Sequence, residues 1–120
     1  MATNPNWKEL DQQVTVAGQI RPEDVPHIAA AGYRVVMCNR PDGEEAGQAD
    51  WAEIAEACRH NGITPKYVPQ SDRTPTDYAV QSFGQIMRET QGKVFAYCRT
   101  GTRCEILWNA AKARQHAGAA

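Results

Sequence analysis

Short apolar segments alternate with longer amphipathic ones along this chain. Four short segments rich in β-branched or aromatic residues predict strands: Val14 to Ala17, Tyr33 to Cys38, Thr64 to Val68 and Val94 to Tyr97. The last of these is apolar throughout, which is typical of a central strand buried on both faces of a sheet.

Helical patterns separate the strands. Their predicted boundaries are Pro22 to Ala31, Asp50 to Gly62, a segment capped by Thr76 that ends before Gly92, and about Arg103 to Gln115. Pro26 separates the first turn of the first helix from the rest, and Asp50 with Glu53 predicts a capping box. The order of elements predicts an α/β fold, a three-layer sandwich with a mostly parallel sheet of four or five strands flanked by helices.

The composition fits one ordinary globular domain. The 120 residues suffice for a single core, which we place at about residues 12–115, with frayed ends at Met1 to Asn6 and His116 to Ala120. The net charge of −1 does not favour a nucleic-acid or membrane partner. The first eight residues lack the apolar stretch of a signal peptide, so we expect a cytoplasmic protein.

The four cysteines, Cys38, Cys58, Cys98 and Cys104, form no C-x-x-C pair, and the three histidines are scattered. Structural zinc needs clustered ligands, so the sequence predicts neither a metal nor another cofactor. In a reducing compartment these residues are thiols. Cys58 falls on the apolar face of a predicted helix and is interpreted as a core residue.

The candidate reactive residue is a cysteine that lies where the predicted central strand ends and the last helix begins. It opens the segment Cys98-Arg99-Thr100-Gly101-Thr102-Arg103. Its glycine lets the backbone N–H groups turn inward, and the helix N-terminus and two arginines favour an anion. These groups also favour the thiolate of Cys98, which is a nucleophile at neutral pH.

This segment resembles the Cys-Arg-x-Gly-x-Arg loop of rhodanese-type sulfurtransferases and, one residue shorter, the phosphate loop of tyrosine and dual-specificity phosphatases. Over about residues 12–112 the chain resembles a bacterial phosphatase-like domain of unknown function. That domain is also found fused to beta-lactamase-like hydrolases, which include persulfide dioxygenases. The resemblance rests on four separated motifs: Gly18-Gln19-Ile20 with Pro22-Glu23-Asp24, Ala31-Gly32-Tyr33-Arg34-Val35-Val36, Asn39-Arg40-Pro41-Asp42-Gly43-Glu44, and Tyr97 with the Cys98 segment and Leu107-Trp108. It implies a tyrosine-phosphatase-like fold.

Two reactions remain open. The short loop suits a terminal sulfur atom, and Tyr97 stands where phosphatases usually have a histidine, so sulfur transfer is the first prediction. Cys98 would then carry a persulfide in bacterial sulfide or persulfide metabolism. The substrate would be a small anion or a persulfide, and the partner a persulfide dioxygenase or an acceptor protein thiol. The alternative is a cysteine phosphatase that forms a phosphocysteine at Cys98, with Arg103 binding phosphate and Asp72, in Pro69-Gln70-Ser71-Asp72, as the acid.

A third hypothesis is a non-catalytic thiol sensor. Cys38 ends a strand near the loop and Cys104 opens the last helix, so either is a candidate to bridge Cys98 on oxidation. Arg40 and Asp42 follow the second predicted strand and should border the same pocket. Arg40 would add positive charge there, and Asp42 is a weaker candidate for the acid.

Overall fold

A five-stranded sheet forms the centre of the molecule. The computed structural model describes residues 6–118, and the side chains of residues 6–115. The strands are β1 (Trp7–Glu9), β2 (Val14–Ala17), β3 (Tyr33–Cys38), β4 (Thr64–Tyr67) and β5 (Lys93–Tyr97). Their order is β1-β2-β5-β3-β4, and all neighbours are parallel except β1 and β2. The mostly parallel sheet predicted from the sequence is confirmed, with β5 at its centre.

Helices cover both faces of this sheet. They are α1 (Val25–Ala30), α2 (Trp51–His60), α3 (Asp77–Glu89) and α4 (Thr102–Gly118), and a 3-10 turn at Pro22–Asp24 precedes α1. One buried cluster joins the sheet to α3 and α4, and a second joins it to α1 and α2. The predicted three-layer sandwich is therefore confirmed.

Helices α2 and α3 begin where the sequence predicts, but one of the two predicted caps is formed by a different residue. Thr76 caps α3, since its hydroxyl oxygen accepts a hydrogen bond from the Ala79 N–H at 3.2 Å. The capping box predicted at Asp50 is wrong, because the Asp50 side chain accepts no bond from α2. The Asp42 carboxylate accepts the Trp51 N–H instead, at 2.9 Å.

The ends of the chain are partly described. Helix α4 continues to Gly118, past the predicted end at Gln115, so residues 116–118 of the predicted frayed tail are helical. Residues 1–5 and 119–120, the remainder of the predicted frayed ends, lie outside the described residues.

The short strand β1 has no counterpart in the predicted elements. It lies at the edge of the sheet, where it pairs antiparallel with β2. Its Trp7 ring packs edge-on against Phe95, with ring centroids 4.9 Å apart. A second edge-on contact joins Trp7 to Tyr33, with ring centroids 6.0 Å apart. Pairing with β2 and the packing of Trp7 therefore hold an edge strand that has no apolar alternation of its own.

The register aligns the carboxyl ends of three strands at one edge of the sheet. Tyr97 lies opposite both Ala17 in β2 and Cys38 in β3. The segments that follow these strands therefore meet there, as expected for a ligand site in an open parallel sheet.

Candidate active site

Cys98 follows β5 directly and lies at the base of the predicted loop. Its side chain is fully buried in the cluster formed with α3 and α4. The Gly101 N–H donates a hydrogen bond to the Cys98 sulfur at 3.0 Å. Gly101 has a φ of 92°, and an added Cβ would lie 3.5 Å from the Ala17 backbone. The loop therefore needs glycine to turn its N–H groups toward the sulfur.

These donors hold Cys98 as a thiolate. A hydrogen bond from the Cys104 side chain, together with the backbone N–H groups of Cys104, Thr100 and Arg103, lowers the pKa of Cys98 to about 5, although burial acts in the opposite direction. Hydrogen bonds to a charged form favour that form. The sulfur is therefore an anion at neutral pH.

The neighbouring thiol at Cys104 stays protonated. Cys104 is fully buried in the first turn of α4, and burial raises its pKa well above the usual range. It can therefore donate its S–H to the Cys98 thiolate over the whole neutral range. Among the cysteines considered in the sequence analysis, Cys104 is the one that the structure brings into contact with Cys98.

Arg103 connects the loop to two other segments. Its Nη1 and Nη2 atoms donate to the two carboxylate oxygens of Glu44, at 2.8 and 2.9 Å. The same Nη1 donates to the backbone carbonyl oxygens of Gln70 and Ser71, at 2.7 and 3.3 Å. The arginine therefore holds the 70–72 segment beside the Cys98 loop.

Glu44 lies between two arginines. The buried Arg40 donates from Nε to Glu44 at 2.9 Å, from Nη1 to Gln19 at 2.9 Å and from Nη2 to Glu45 at 3.0 Å. The hydrogen bond from Arg103, with a further one from Arg40, lowers the pKa of Glu44 to about 2. Arg40 thus supports the site through Glu44, and its side chain is only 3 % exposed.

The candidate acid Asp72 lies at the mouth of the site. It is exposed, and one carboxylate oxygen accepts the Thr74 N–H at 2.8 Å. It lines one open cavity of about 750 Å³ together with residues of the Cys98 loop, the 44–45 segment and the 71–73 segment. The lining residues are Arg40, Glu44, Glu45, Ser71, Asp72, Arg73, Arg99, Thr100, Thr102 and Arg103.

Three other predicted residues have partners outside the Cys98 loop. Arg99 is exposed and reaches toward Glu45, with 3.8 Å between Nε and the carboxylate oxygen. Cys38 packs in the opposite core layer, where its thiol donates to the Arg40 carbonyl oxygen at 3.1 Å. Burial raises the pKa of Cys38 to about 11. Asp42 caps α2 and does not line the cavity.

Sequence reasoning missed Gln70. Its side chain is buried, and its amide nitrogen donates to the carbonyl oxygens of Asp72 and Thr74 while its amide oxygen accepts the Thr76 N–H. These bonds shape the segment that carries Asp72. A glutamine beside a proline carries no local signal of burial, so no sequence pattern identifies this role.

The structure also bears on metal and membrane sites. Among residues 6–118, no three histidine, cysteine or acidic side chains cluster in a way that could hold a metal ion. Within the same residues, no helix has the length and apolar character required to cross a bilayer.

The sheet order, the helices on both faces and the buried cysteine loop define an α/β domain of the tyrosine-phosphatase-like type. A family model described as "Beta-lactamase hydrolase-like protein, phosphatase-like domain" matches residues 6–115. The chain belongs to this family, as the motifs around Gly18, Asn39 and Cys98 predict.

Individual relatives agree with this assignment. A "Beta-lactamase hydrolase-like protein" of Agrobacterium fabrum (strain C58) is 35 % identical over 99 residues, which cover 82 % of this chain and 23 % of the relative. The chain thus spans about a quarter of the length of the curated relatives it matches.

Solved structures show the same fold. A Neisseria meningitidis structure described as a "putative phosphatase (nma1982)" superposes with a TM-score of 0.80 and 35 % identity, covering 90 % of this chain and 77 % of that one. The structure of a mutant form of Tk-PTP superposes with a TM-score of 0.66 and 12 % identity, covering 92 % and 97 % of the two chains. At that identity, the second likeness concerns the fold alone.

Proposed function

We propose that this domain is a cysteine-dependent phosphatase that hydrolyses a phosphate monoester through a phosphocysteine at Cys98. One observation carries the proposal. Arg103 holds the 70–72 segment by its backbone carbonyls, so that Asp72 and the loop over Cys98 line one cavity. A nucleophile, a cation and an acid around one space are the groups that this reaction needs.

Each residue has a defined task in this reaction. The Cys98 thiolate attacks phosphorus, and the bond to the ester oxygen breaks as Asp72 gives that oxygen a proton. The loop N–H groups and Arg103 stabilise the charge on the other phosphoryl oxygens. Water then attacks phosphorus, Asp72 takes up its proton, and the S–P bond breaks to return the thiolate and release phosphate.

Relatives support the phosphatase over the sulfurtransferase. The family description and the Neisseria structure both name a phosphatase, and neither names sulfur transfer. The phosphatase is therefore the first candidate, although the loop length and Tyr97 favour sulfur transfer when the sequence is considered alone.

Sulfur transfer is the second candidate because one observation favours it. Only four residues separate Cys98 from Arg103, and the sulfur below them is fully buried. A loop of this length fits a single terminal sulfur atom better than a larger phosphoryl group. The leaving group in sulfur transfer, a thiolate or sulfite, does not need a proton from Asp72. In this reaction Cys98 would carry a persulfide and pass it to an acceptor thiol.

We propose the same kind of partner for either reaction. Their name and greater length suggest that a beta-lactamase-like hydrolase domain acts beside this one. With a phosphatase, that domain would share the phosphorylated substrate or its product. With a sulfurtransferase, it would supply or consume the persulfide.

A comparison of two assays tests the proposal. Aryl phosphate hydrolysis and thiosulfate:cyanide sulfur transfer are measured for the parent protein, for Cys98→Ser and for Cys58→Ala, a control in the opposite core layer. The phosphatase predicts hydrolysis that disappears in Cys98→Ser and persists in Cys58→Ala. Sulfur transfer without hydrolysis would overturn it in favour of the second candidate.

A further inference from the structure

A second cavity adjoins the one that contains the Cys98 loop. It has a volume of about 460 Å³ and lies between residues 19–23, which follow β2, and residues 45–49, which precede α2. The two cavities share Arg40, Glu45 and Arg99 as lining residues. The proposed phosphoryl transfer takes place in the first cavity, so the second is available to a part of the substrate that does not react.

Hydrogen bonds fix the second cavity relative to the Cys98 loop. The Gln19 N–H donates to the Arg99 carbonyl oxygen at 3.3 Å, and the Gln19 amide oxygen accepts from Arg40 Nη1 at 2.9 Å. Gly18 permits this close approach, since an added Cβ would lie 3.0 Å from the Arg99 carbonyl oxygen. Arg40 also donates from Nη2 to Glu45 at 3.0 Å, which holds the other wall. A ligand that spans the two cavities would therefore meet walls that are already in place.

The charges that line the second cavity do not cancel. Arg40 and Arg103 form ion pairs with Glu44 and Glu45, so these two cations balance these two anions. The other charged side chains that line the second cavity are Arg21, Glu23 and Arg99. All three are exposed, and the two arginines leave an excess of one positive charge. The second cavity therefore favours an anionic ligand.

Arg21 and Arg99 can donate hydrogen bonds to such a ligand. Within residues 6–118, the Arg21 guanidinium forms no ion pair, and the Arg99 guanidinium donates no hydrogen bond. The Arg99 Nε lies 3.8 Å from a Glu45 carboxylate oxygen, and its side chain is 67 % exposed. Because a guanidinium offers paired N–H groups, either arginine can bind a phosphate or a carboxylate at two points.

We propose that the second cavity binds an anionic group, a phosphate or a carboxylate, on the leaving group of the substrate, with Arg21 and Arg99 as its cations. The inference rests on the proposed phosphatase function and names its substrate class, a small phosphate monoester that carries a second anion. The reacting phosphoryl group lies in the Cys98 loop, and the rest of the molecule passes Arg99 into the second cavity. Both cavities have volumes typical of small-molecule sites.

A series of matched esters tests the second anion. Monophosphates of straight-chain diols of increasing length are compared with the same chains ending in a second phosphate or in a carboxylate, and kcat/KM is measured for each. At the best chain length a second anion should raise kcat/KM by about three- to fivefold, the range for an exposed ion pair, after correction for the two reactive ends of a bisphosphate. The advantage should fall as salt is added. Equal kcat/KM at every length, with hydrolysis intact, would overturn the inference alone.

Charge variants of the second cavity should change this preference in opposite directions. Arg21→Gln should lower the ratio of kcat/KM with and without the second anion, because it removes a cation. Glu23→Gln should raise the ratio, because it removes an anion that repels the ligand. Arg59→Gln, an exposed arginine of α2 outside both cavities, is the control and should leave the ratio unchanged. A general loss of folded protein cancels in the ratio, so no change in Arg21→Gln or a fall in Glu23→Gln would contradict the proposal.

Binding to Cys98→Ser separates this inference from the proposed reaction. Titration calorimetry compares an alkyl phosphonate with the bisphosphonate of the same chain, since neither can be hydrolysed. The bisphosphonate should bind about threefold or more tightly, and Arg21→Gln in the same background should remove the difference. If the parent protein hydrolyses no phosphate ester but this difference is measured, the proposed reaction fails and the anion site stands. Equal binding of the two phosphonates would overturn the site.

Discussion

Arg103 and Glu44 form a two-point ion pair across the site, with N–O distances of 2.8 and 2.9 Å. They are 59 residues apart in the sequence and connect the loop after β5 with the segment after β3. The pair fixes the plane of the guanidinium and directs Nη1 at the backbone of the 70–72 segment. Glu44 is therefore a positioning residue for both the cation and the segment that bears the acid.

Replacing Glu44 with glutamine should weaken the fold at neutral pH and not in acid. The pKa of Glu44 in the folded protein, about 2, lies below its ordinary value of 4.5. Its stabilisation is therefore complete above 4.5 and is lost as the pH falls toward 2. We expect Glu44→Gln to lower the free energy of unfolding by about 1 kcal/mol at neutral pH, since the carboxylate is partly exposed.

Urea unfolding at a series of pH values measures this effect. The difference between the parent and Glu44→Gln should shrink steadily on acidification below about pH 4.5. Glu45→Gln is the matched control, because its partner Arg40 is the same but its side chain is more exposed. A difference that does not change with pH would contradict a role for the Glu44 charge.

Removal of the Cys104 thiol should raise the pKa of Cys98. The ultraviolet absorbance of the thiolate, taken as the difference from Cys98→Ser, should show a midpoint near the pKa of about 5 in the parent protein. Cys104→Ala removes the side-chain donor, so the midpoint should rise by about one unit or more. Cys104→Ser restores a donor and should bring it back. A parent midpoint near the ordinary thiol value would refute the account of the loop.

The acid role of Asp72 depends on the leaving group. Phenyl phosphate releases a more basic oxygen than para-nitrophenyl phosphate and needs the proton more. Asp72→Asn should therefore reduce kcat/KM, which covers the steps up to formation of the phosphocysteine, by about 10²-fold or more on phenyl phosphate, within the usual range for acid catalysis, and reduce it less on para-nitrophenyl phosphate. Asp50→Asn, an exposed aspartate outside the cavity, should leave both rates unchanged. Equal losses on both esters would remove Asp72 from the acid step.

The left-handed backbone of Gly101 makes a specific contribution to the thiolate. Gly101→Ala should cost about 1–2 kcal/mol in conformational strain and tilt the loop N–H groups away from Cys98. Gly47→Ala bears a similar strain, with a φ of 81° in the parent, but lies outside the loop. Both variants should lower the melting temperature, and Gly101→Ala alone should raise the pKa of Cys98. A shift of equal size in Gly47→Ala would show that the strain acts through the whole fold.

Local patterns in the sequence predict much of the fold. The apolar run before Cys98 identifies the central strand, and Thr76 identifies the start of α3, because strand burial and helix capping depend on neighbouring residues. The loop at 98–103 can be predicted for the same reason, because its glycine, its arginines and the start of the helix are neighbours in the sequence.

Contacts between segments that are distant in the sequence cannot be predicted from such local patterns. The Arg103–Glu44 pair, the buried Gln70 and the cap that Asp42 supplies to α2 all join residues that only the folded chain brings together. The edge strand β1 is stabilised by the packing of Trp7 against Phe95. Its three residues are too few to show an alternation of apolar and polar positions, so the sequence does not predict this strand.

The intermediate on Cys98 is the most direct test of the proposed function. The parent protein and Asp72→Asn are mixed with para-nitrophenyl phosphate, whose leaving group depends less on the Asp72 proton, and are quenched within one turnover. The protein is digested with trypsin, and the mass of peptide 94–99, which contains Cys98, is recorded. The same is done after incubation with thiosulfate. The account predicts one added phosphoryl group on Cys98 with the phosphate ester, absent from Cys98→Ser. A peptide that gains one sulfur atom from thiosulfate and never a phosphoryl group would contradict it.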